Sequence, residues 1–124
     1  MQVKEFARLW LTAERRADGL EAEGRPEDFY LTGVRSTCQW LAGVIITVDG
    51  PSGRAHAWSP SPITGVQTKA YEELIAEETR AAERAAVGSV PGEPDFVDGV
   101  LATLLWAWRR SGVPPIEVDR AHVS

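Results

Sequence analysis

The sequence predicts an all-α domain: a four-helix, bundle-like fold made of two pseudo-symmetric helical hairpins, with either a small β-hairpin or an irregular linker over 44–63. Three observations predict it. The first is an internal repeat. Gly33-Val34-Arg35-Ser36-Thr37-Cys38-Gln39-Trp40 and Gly99-Val100-Leu101-Ala102-Thr103-Leu104-Leu105-Trp106 share the pattern Gly-Val-x-x-Thr-x-x-Trp. Gly24-Arg25-Pro26-Glu27-Asp28-Phe29 is echoed by Gly92-Glu93-Pro94-Asp95-Phe96. Further upstream, Ala13-Glu14-Arg15-Arg16-Ala17-Asp18-Gly19 is echoed by Ala82-Glu83-Arg84-Ala85-Ala86-Val87-Gly88. The second is apolar spacing at three- and four-residue steps in four segments, which marks amphipathic helices. The third is that one helical pair cannot hide its apolar stripe alone, so two like pairs must pack together. The units are 3–43 and 66–110, joined by a linker over 44–65 and followed by a tail over 111–124, in one domain spanning 1–124.

The first helix spans 3–19. Val3, Phe6, Ala7, Trp10, Ala13 and Ala17 form its apolar stripe, and Glu5, Arg8, Thr12, Arg15 and Arg16 its polar side. Gly19 and Gly24 bracket its exit. The second helix spans 26–43. Pro26 suits a first helical position, where a missing N–H costs nothing, and Glu27 and Asp28 complement the positive end of the helix dipole. Tyr30, Val34, Cys38, Leu41 and Ile45 make its stripe, with Gly33, Thr37 and Trp40 beside it, and Gly43 is the expected stop.

Residues 44–58 admit three readings. Val44-Ile45-Ile46-Thr47-Val48 is β-branched, Asp49-Gly50-Pro51-Ser52-Gly53 has turn chemistry, and Arg54-Ala55-His56-Ala57-Trp58 then returns as a second strand. Otherwise the second helix runs on to Val48, or the stretch is coil. Ser59-Pro60-Ser61-Pro62 is irregular. The third helix spans 64–87, with Thr64 and Gln67 resembling a capping box. Tyr71, Leu74, Ile75, Ala82 and Ala85 give a sparse stripe, while Glu72, Glu73, Glu77, Glu78, Arg80, Glu83 and Arg84 give a solvated face. The fourth helix starts at Pro94 and runs to Arg110, with Asp95 and Asp98 at its positive end and Arg109 and Arg110 at its negative end. Between Gly99 and Trp108 its one polar side chain is Thr103. A helix this apolar is either central to the fold or offers one face to a partner. The tail from Ile116 is polar and loose.

Gly33 and Thr37, like Gly99 and Thr103, lie one turn apart on one face. Small residues there let a second helix approach closely, and the Trp two turns beyond the glycine packs over the contact. The second and fourth helices are therefore expected to touch through Gly33, Thr37 and Trp40 on one side and Gly99, Thr103 and Trp106 on the other.

Totals narrow the function. The net charge is −5, and the 13 basic residues are scattered among acids, which argues against direct nucleic-acid or anionic-membrane binding. The longest nearly apolar run, Val100 to Trp108, is about half of what spans a bilayer. Arg-rich, Ala-, Gly- and Val-rich usage has the look of a GC-rich bacterial genome. A lone cysteine, Cys38, excludes an internal disulfide, and there is no apolar signal region at the start, so the cytoplasm is the expected location.

Chemistry-bearing residues are sparse. Cys38 falls on an apolar stripe with no histidine at a nearby helical step, so it reads as a small buried hydrophobe. His56 and His122 are the only histidines, and no zinc or di-iron spacing is present. All-α enzymes that cleave nucleoside triphosphates hold magnesium with Glu-x-x-Glu and Glu-x-x-Asp pairs. Here Asp95 and Asp98 have the right step, while Glu73 and Glu77 are four apart. No phosphate loop, nucleophile elbow or dinucleotide fingerprint occurs. No catalytic, cofactor-binding or metal residue is assigned, and no cofactor is expected.

What stands out is a surplus of aromatic and apolar helix surface. Trp58, in a Pro/Ser-rich loop, is either a plug under the domain or an anchor for a partner. Val97, Leu101, Leu105 and Trp108 make a candidate shared face on the fourth helix. The expected function is a small, acidic, non-enzymatic interaction or adaptor module that binds another protein or itself. Two alternatives compete: an inhibitor from the phage or mobile-element world that imitates DNA charge against a nucleic-acid enzyme, and a magnesium-dependent nucleotide hydrolase.

Overall fold

A computed structural model of the chain describes residues 3–43, 45–50, 53–88, 94–109 and 114–116. It is an all-α, bundle-like arrangement of four helices with one small hairpin: α1 (Val3–Ala22), α2 (Phe29–Ala42), β1 (Ile45–Gly50), β2 (Gly53–Trp58), α3 (Glu72–Gly88) and α4 (Pro94–Arg109). α2 and α4 form the central pair. α1 lies on α2 and α3 lies on α4, so the lateral order is α1, α2, α4, α3.

α1 runs past its expected end at Gly19 and stops at Ala22. Gly24, at φ 67°, makes the turn that ends it, and Arg25 N–H closes on Leu20 O at 2.9 Å. The buried stripe is centred on Leu9 and Ala13, and Thr12, expected on the polar side, is buried beside them. Ala7, expected on the stripe, is exposed. α2 starts later than Pro26. Asp28 is its N-cap: the carboxylate accepts from Leu31 N–H at 3.2 Å, satisfying a donor the first turn would leave open. Gly43 ends α2 as expected, in the left-handed region at φ 72° with its N–H closing on the last turn.

Of the three readings of 44–58, the hairpin is the one adopted. β1 and β2 pair antiparallel from Ile45↔Trp58 to Gly50↔Gly53. The Trp58 ring rests on the C-cap of α2, where a methyl on Gly43 would meet its Cζ3 at 3.4 Å.

α3 begins at Glu72, eight residues after Thr64, so the expected capping box is not a helix start. Residues 61–66 instead form a compact loop. Ser61 and Val66 exchange backbone and side-chain bonds at 2.9 Å, and Gly65 N–H returns to Ser61 O at 3.0 Å. Glu78 grips this loop from α3: its carboxylate accepts from Ile63 N–H at 2.6 Å, Thr64 N–H at 3.2 Å and the Thr64 hydroxyl at 2.7 Å. Thr64 donates to Glu78 instead, and α3 starts too far along the chain for its hydroxyl to accept from a first-turn N–H. Glu78 is 2% exposed, so it does not belong to the solvated face. The expected loose tail is pinned where it is described: the Tyr30 hydroxyl donates to Pro115 O at 2.6 Å, and Ile116 packs on the α1–α2 core.

α2 and α4 meet through the repeated motif, and the contact is reciprocal. A methyl on Gly33 would fall on the Phe96 carbonyl oxygen and lie 3.0 Å from Val100 N. A methyl on Gly99 would fall on the Tyr30 carbonyl oxygen and lie 3.1 Å from its carbon. Tyr30 and Phe96 each stand three residues before a seam glycine. They are the matched aromatics, rather than Phe29 and Phe96 as the Pro-x-Phe echo suggested, and Phe29 is exposed. Thr37 and Thr103, both fully buried, donate to Gly33 O and Gly99 O at 2.8 Å, so neither hydroxyl is stranded in the seam. Each indole crosses the seam. Trp40 joins Ala82, Val100 and Leu104, while Trp106 joins Leu9, Ala13, Leu31, Val34 and Cys38. Each half-core is thus completed by a tryptophan from the other half.

The seam fixes a stability experiment. Gly33→Ala and Gly99→Ala each drive a methyl into backbone that cannot step aside, and each should cost on the order of 2–3 kcal/mol, net of the helix-propensity gain. Gly19→Ala, where a methyl meets nothing within 4 Å, should instead stabilise by roughly 0.5–1 kcal/mol. Urea unfolding of the three variants reads the contrast; equal effects at all three sites would refute the seam.

Candidate functional site

The repeat allows the outer surfaces of the two halves to be compared position by position. The Gly-Val-x-x-Thr-x-x-Trp frame sets Arg35 and Gln39 of α2 opposite Leu101 and Leu105 of α4. The Ala-Glu-Arg echo sets Leu9, Ala13 and Glu14 of α1 opposite Glu78, Ala82 and Glu83 of α3. Burial supports the second frame: Leu9, Thr12 and Ala13 are buried, and so are Glu78, Ala81 and Ala82.

On the first half these positions are polar and locked together. Glu14 accepts from Arg35 Nη2 at 2.9 Å, from Trp10 Nε1 at 3.2 Å and from Gln39 Nε2 at 3.3 Å. Burial alone pushes the Glu14 carboxyl up, but the Arg35 hydrogen bond and charge, with Gln39 and Trp10, outweigh it and leave the carboxyl below its ordinary range. The cluster ties α1 to α2 and closes that face.

On the second half the counterparts of Arg35 and Gln39 are apolar, while that of Glu14 is again a glutamate. Leu101, Leu105 and Trp108 recur along one side of α4 and all stay half-buried. Glu83, the counterpart of Glu14, is exposed. Leu101 also packs at the edge of the Trp40 cluster. Val97, expected on the shared face, is buried at 8% and is already used by the fold. Trp58 is the most open of the five candidates at 37% exposure, and it sits at the base of the hairpin against Gly43, away from the seam. The structure therefore gathers Leu101, Leu105 and Trp108 on one stripe, withdraws Val97, and places Trp58 on the hairpin.

The groups weighed for catalysis take up other positions. Burial, with the Glu14 charge adding to it, pushes the Cys38 thiol up to about 12, so it stays protonated and inert. His56 is exposed on β2, and His122 lies outside the described residues. Glu72, Glu73, Glu77, Asp95 and Asp98 are exposed, and Glu78 is committed to the 61–66 loop. Among the described residues, no group of three or more His, Cys, Asp or Glu is gathered to hold a metal ion. The magnesium reading therefore lacks its ligand set there. Among the same residues, no helix is long and apolar enough to cross a membrane.

A cleft of about 340 Å³ opens at the end of the α1–α2 hairpin, lined by Arg16, Arg25, Glu23, Asp28, Tyr30 and Ile116 among others. Its charges are of both signs, and Arg25 is paired with Glu23 at 3.4 Å. Burial, then Asp98 and Asp28, pushes the Tyr30 hydroxyl above its usual range, so it remains a donor to Pro115. Among the described residues, its lining has no serine, threonine, cysteine, lysine or histidine.

Three structural residues escaped the sequence reading. Glu78 was hidden in a run of glutamates, although the Ala13–Ala82 echo places it at the position of Leu9. The Glu14–Arg35 pair spans two helices and has no local signature. Comparison with family models, with curated proteins and with solved structures finds no match for this chain.

Two measurements check these assignments. Glu14 has a lowered carboxyl in the fold, so its stabilisation is fully present above the ordinary value of 4.5 and is lost as pH falls through the lowered value. Glu14→Gln should flatten the acid limb of a urea-midpoint profile; an unchanged acid limb contradicts the assignment. Glu78→Ala leaves three donors of the 61–66 loop unmatched and should cost on the order of 3 kcal/mol. Glu78→Leu, which copies the first half, should keep α3 packed while the loop becomes the first site cut by protease.

Proposed function

We propose that this chain is a non-enzymatic protein–protein interaction module of the cytoplasm, docking its partner on the outer side of α4. One observation carries the reading. At matched positions of a repeated frame, the first half carries Arg35 and Gln39, tied to Glu14, while the second half carries Leu101 and Leu105, with Trp108 on the same side of α4. The same fold has thus solved the same exposed position twice, once for water and once not. A half-buried apolar stripe of this kind suits the desolvated centre of an interface, and tryptophan is a favoured anchor there. Trp58 on the hairpin is a second, separate anchor in this reading. The partner is another protein or a second copy of the chain.

The repeat also supplies the cleanest variant. Leu101→Arg with Leu105→Gln transplants the first half's side chains, and Glu83 then stands where Glu14 stands. The double variant should keep its helical circular dichroism and melt within a few degrees of wild type. It should lose the partner, read by pull-down, or lose self-association, read by sedimentation over a range of concentrations. A wild type that stays monomeric and retains nothing the variant loses would defeat the proposal.

A further inference from the structure

The inner seam has a property the outer faces lack: its two sides are chemically alike. α2 brings Tyr30, Gly33, Thr37 and Trp40, and α4 brings Phe96, Gly99, Thr103 and Trp106 at the same steps. Neither half-core is whole by itself, because Trp106 closes the cluster around Leu9 and Val34 and Trp40 closes the cluster around Val100 and Leu104.

The connection between the halves divides cleanly. The hairpin belongs with the first half, since Trp58 rests on Gly43. The 61–66 loop belongs with the second half, since Glu78 holds Ile63 and Thr64. Between these two anchored pieces lie only Ser59 and Pro60. Each half is therefore a unit with its own part of the linker, and a two-residue hinge separates them. Short hinges of this kind favour exchange of elements between copies, because the hinge opens while every other contact is kept.

We infer that two copies of this chain exchange halves, the first half of one closing on the second half of the other through the Gly33–Gly99 seam, with Ser59-Pro60 extended as the hinge. The seam, both indole insertions and both linker anchors are the same in the exchanged pair as in the single chain. What opposes exchange is proximity: tethered halves see each other at an effective concentration in the ~mM range, so the closed monomer dominates in dilute solution. The outer stripe of α4 takes no part.

Full-length Gly33→Ala and Gly99→Ala chains test this directly. In either variant alone, every seam joins one altered helix to one native helix, within a chain or between copies. In a mixed pair, one seam is native on both sides and the other carries both methyls. The two variants, one of them nitrogen-15 labelled, are unfolded together and refolded at high concentration. Native mass spectrometry should find a species of twice the chain mass carrying one copy of each, and its unfolding should show a transition near the wild-type midpoint, above that of either variant refolded alone, from the lobe whose seam is native. If both variants fail to fold alone, the mixed pair is the only folded species expected. A mixture that unfolds as the sum of its parts with no mixed pair overturns the inference. A mixed pair without that wild-type-like transition overturns it too, because contact through the outer face of α4 joins chains without mending a seam.

Discussion

Everything in this molecule depends on how closely α2 and α4 can approach. At Gly33 and Gly99 the backbone of one helix lies where a side chain of the other would begin, and no residue with a Cβ fits without moving main chain. Close approach brings Cα–H groups against carbonyl oxygens, a weak contact that gains from being made twice. It also sets the depth at which Trp40 and Trp106 enter the opposite half. A wider seam would leave each indole short of its cluster, and both half-cores would open together. Two threonines, each bonded back to a seam glycine, keep this dense contact free of an unmatched hydroxyl.

The outer helices obey a looser rule and have diverged. α1 and α3 need only cover their neighbours, so the same positions carry different solutions. Leu9 fills a core site with hydrocarbon. Its counterpart Glu78 uses the same inward direction to reach three donors of the 61–66 loop. A buried carboxylate is tolerable there because each bond it loses to water is replaced by a backbone or hydroxyl donor. The divergence follows from the linker. Only the second half has a chain segment entering from the first, and only it needs a grip on that segment.

The seam was legible in the sequence because it depends on residue types with few substitutes. Glycine at a helix crossing, threonine one turn on and tryptophan beyond it are rare enough to be recognised twice in 124 residues. The hairpin was legible only as one of three readings, since β-branched Val44–Val48 fits a strand and a buried helix end alike. The starts of α2 and α3 were misplaced for one shared reason. Pro26 and Thr64 look like helix starts locally, but Asp28 makes the bond that caps α2, and Thr64 is held in the 61–66 loop by Glu78, eight residues before α3 begins. Glu14 with Arg35, and Glu78 with Thr64, are tertiary pairs that no local pattern announces. The candidate surface was legible in part. Leu101, Leu105 and Trp108 share a stripe as their spacing requires, while Val97 falls on the inward side of the same helix.

That last distinction decides how the apolar excess of α4 should be understood. A central helix must be apolar on the sides facing its neighbours, and α4 faces α2 and α3 with Val97, Val100, Thr103, Leu104 and Trp106. Centrality accounts for those residues and, in part, for Leu101, which borders the Trp40 cluster. α2 is equally central, packs against the same seam, and still carries Arg35 and Gln39 on the corresponding outer positions. Central placement therefore does not require leucine at 101 and 105. The difference between the halves lies at the edge of the packing that both share, and it leaves half-buried hydrocarbon where the fold has a polar alternative ready. Such a surface is stable to keep only where something else covers it part of the time, and that makes the unequal halves, rather than the abundance of tryptophan, the reason to look for a partner on α4.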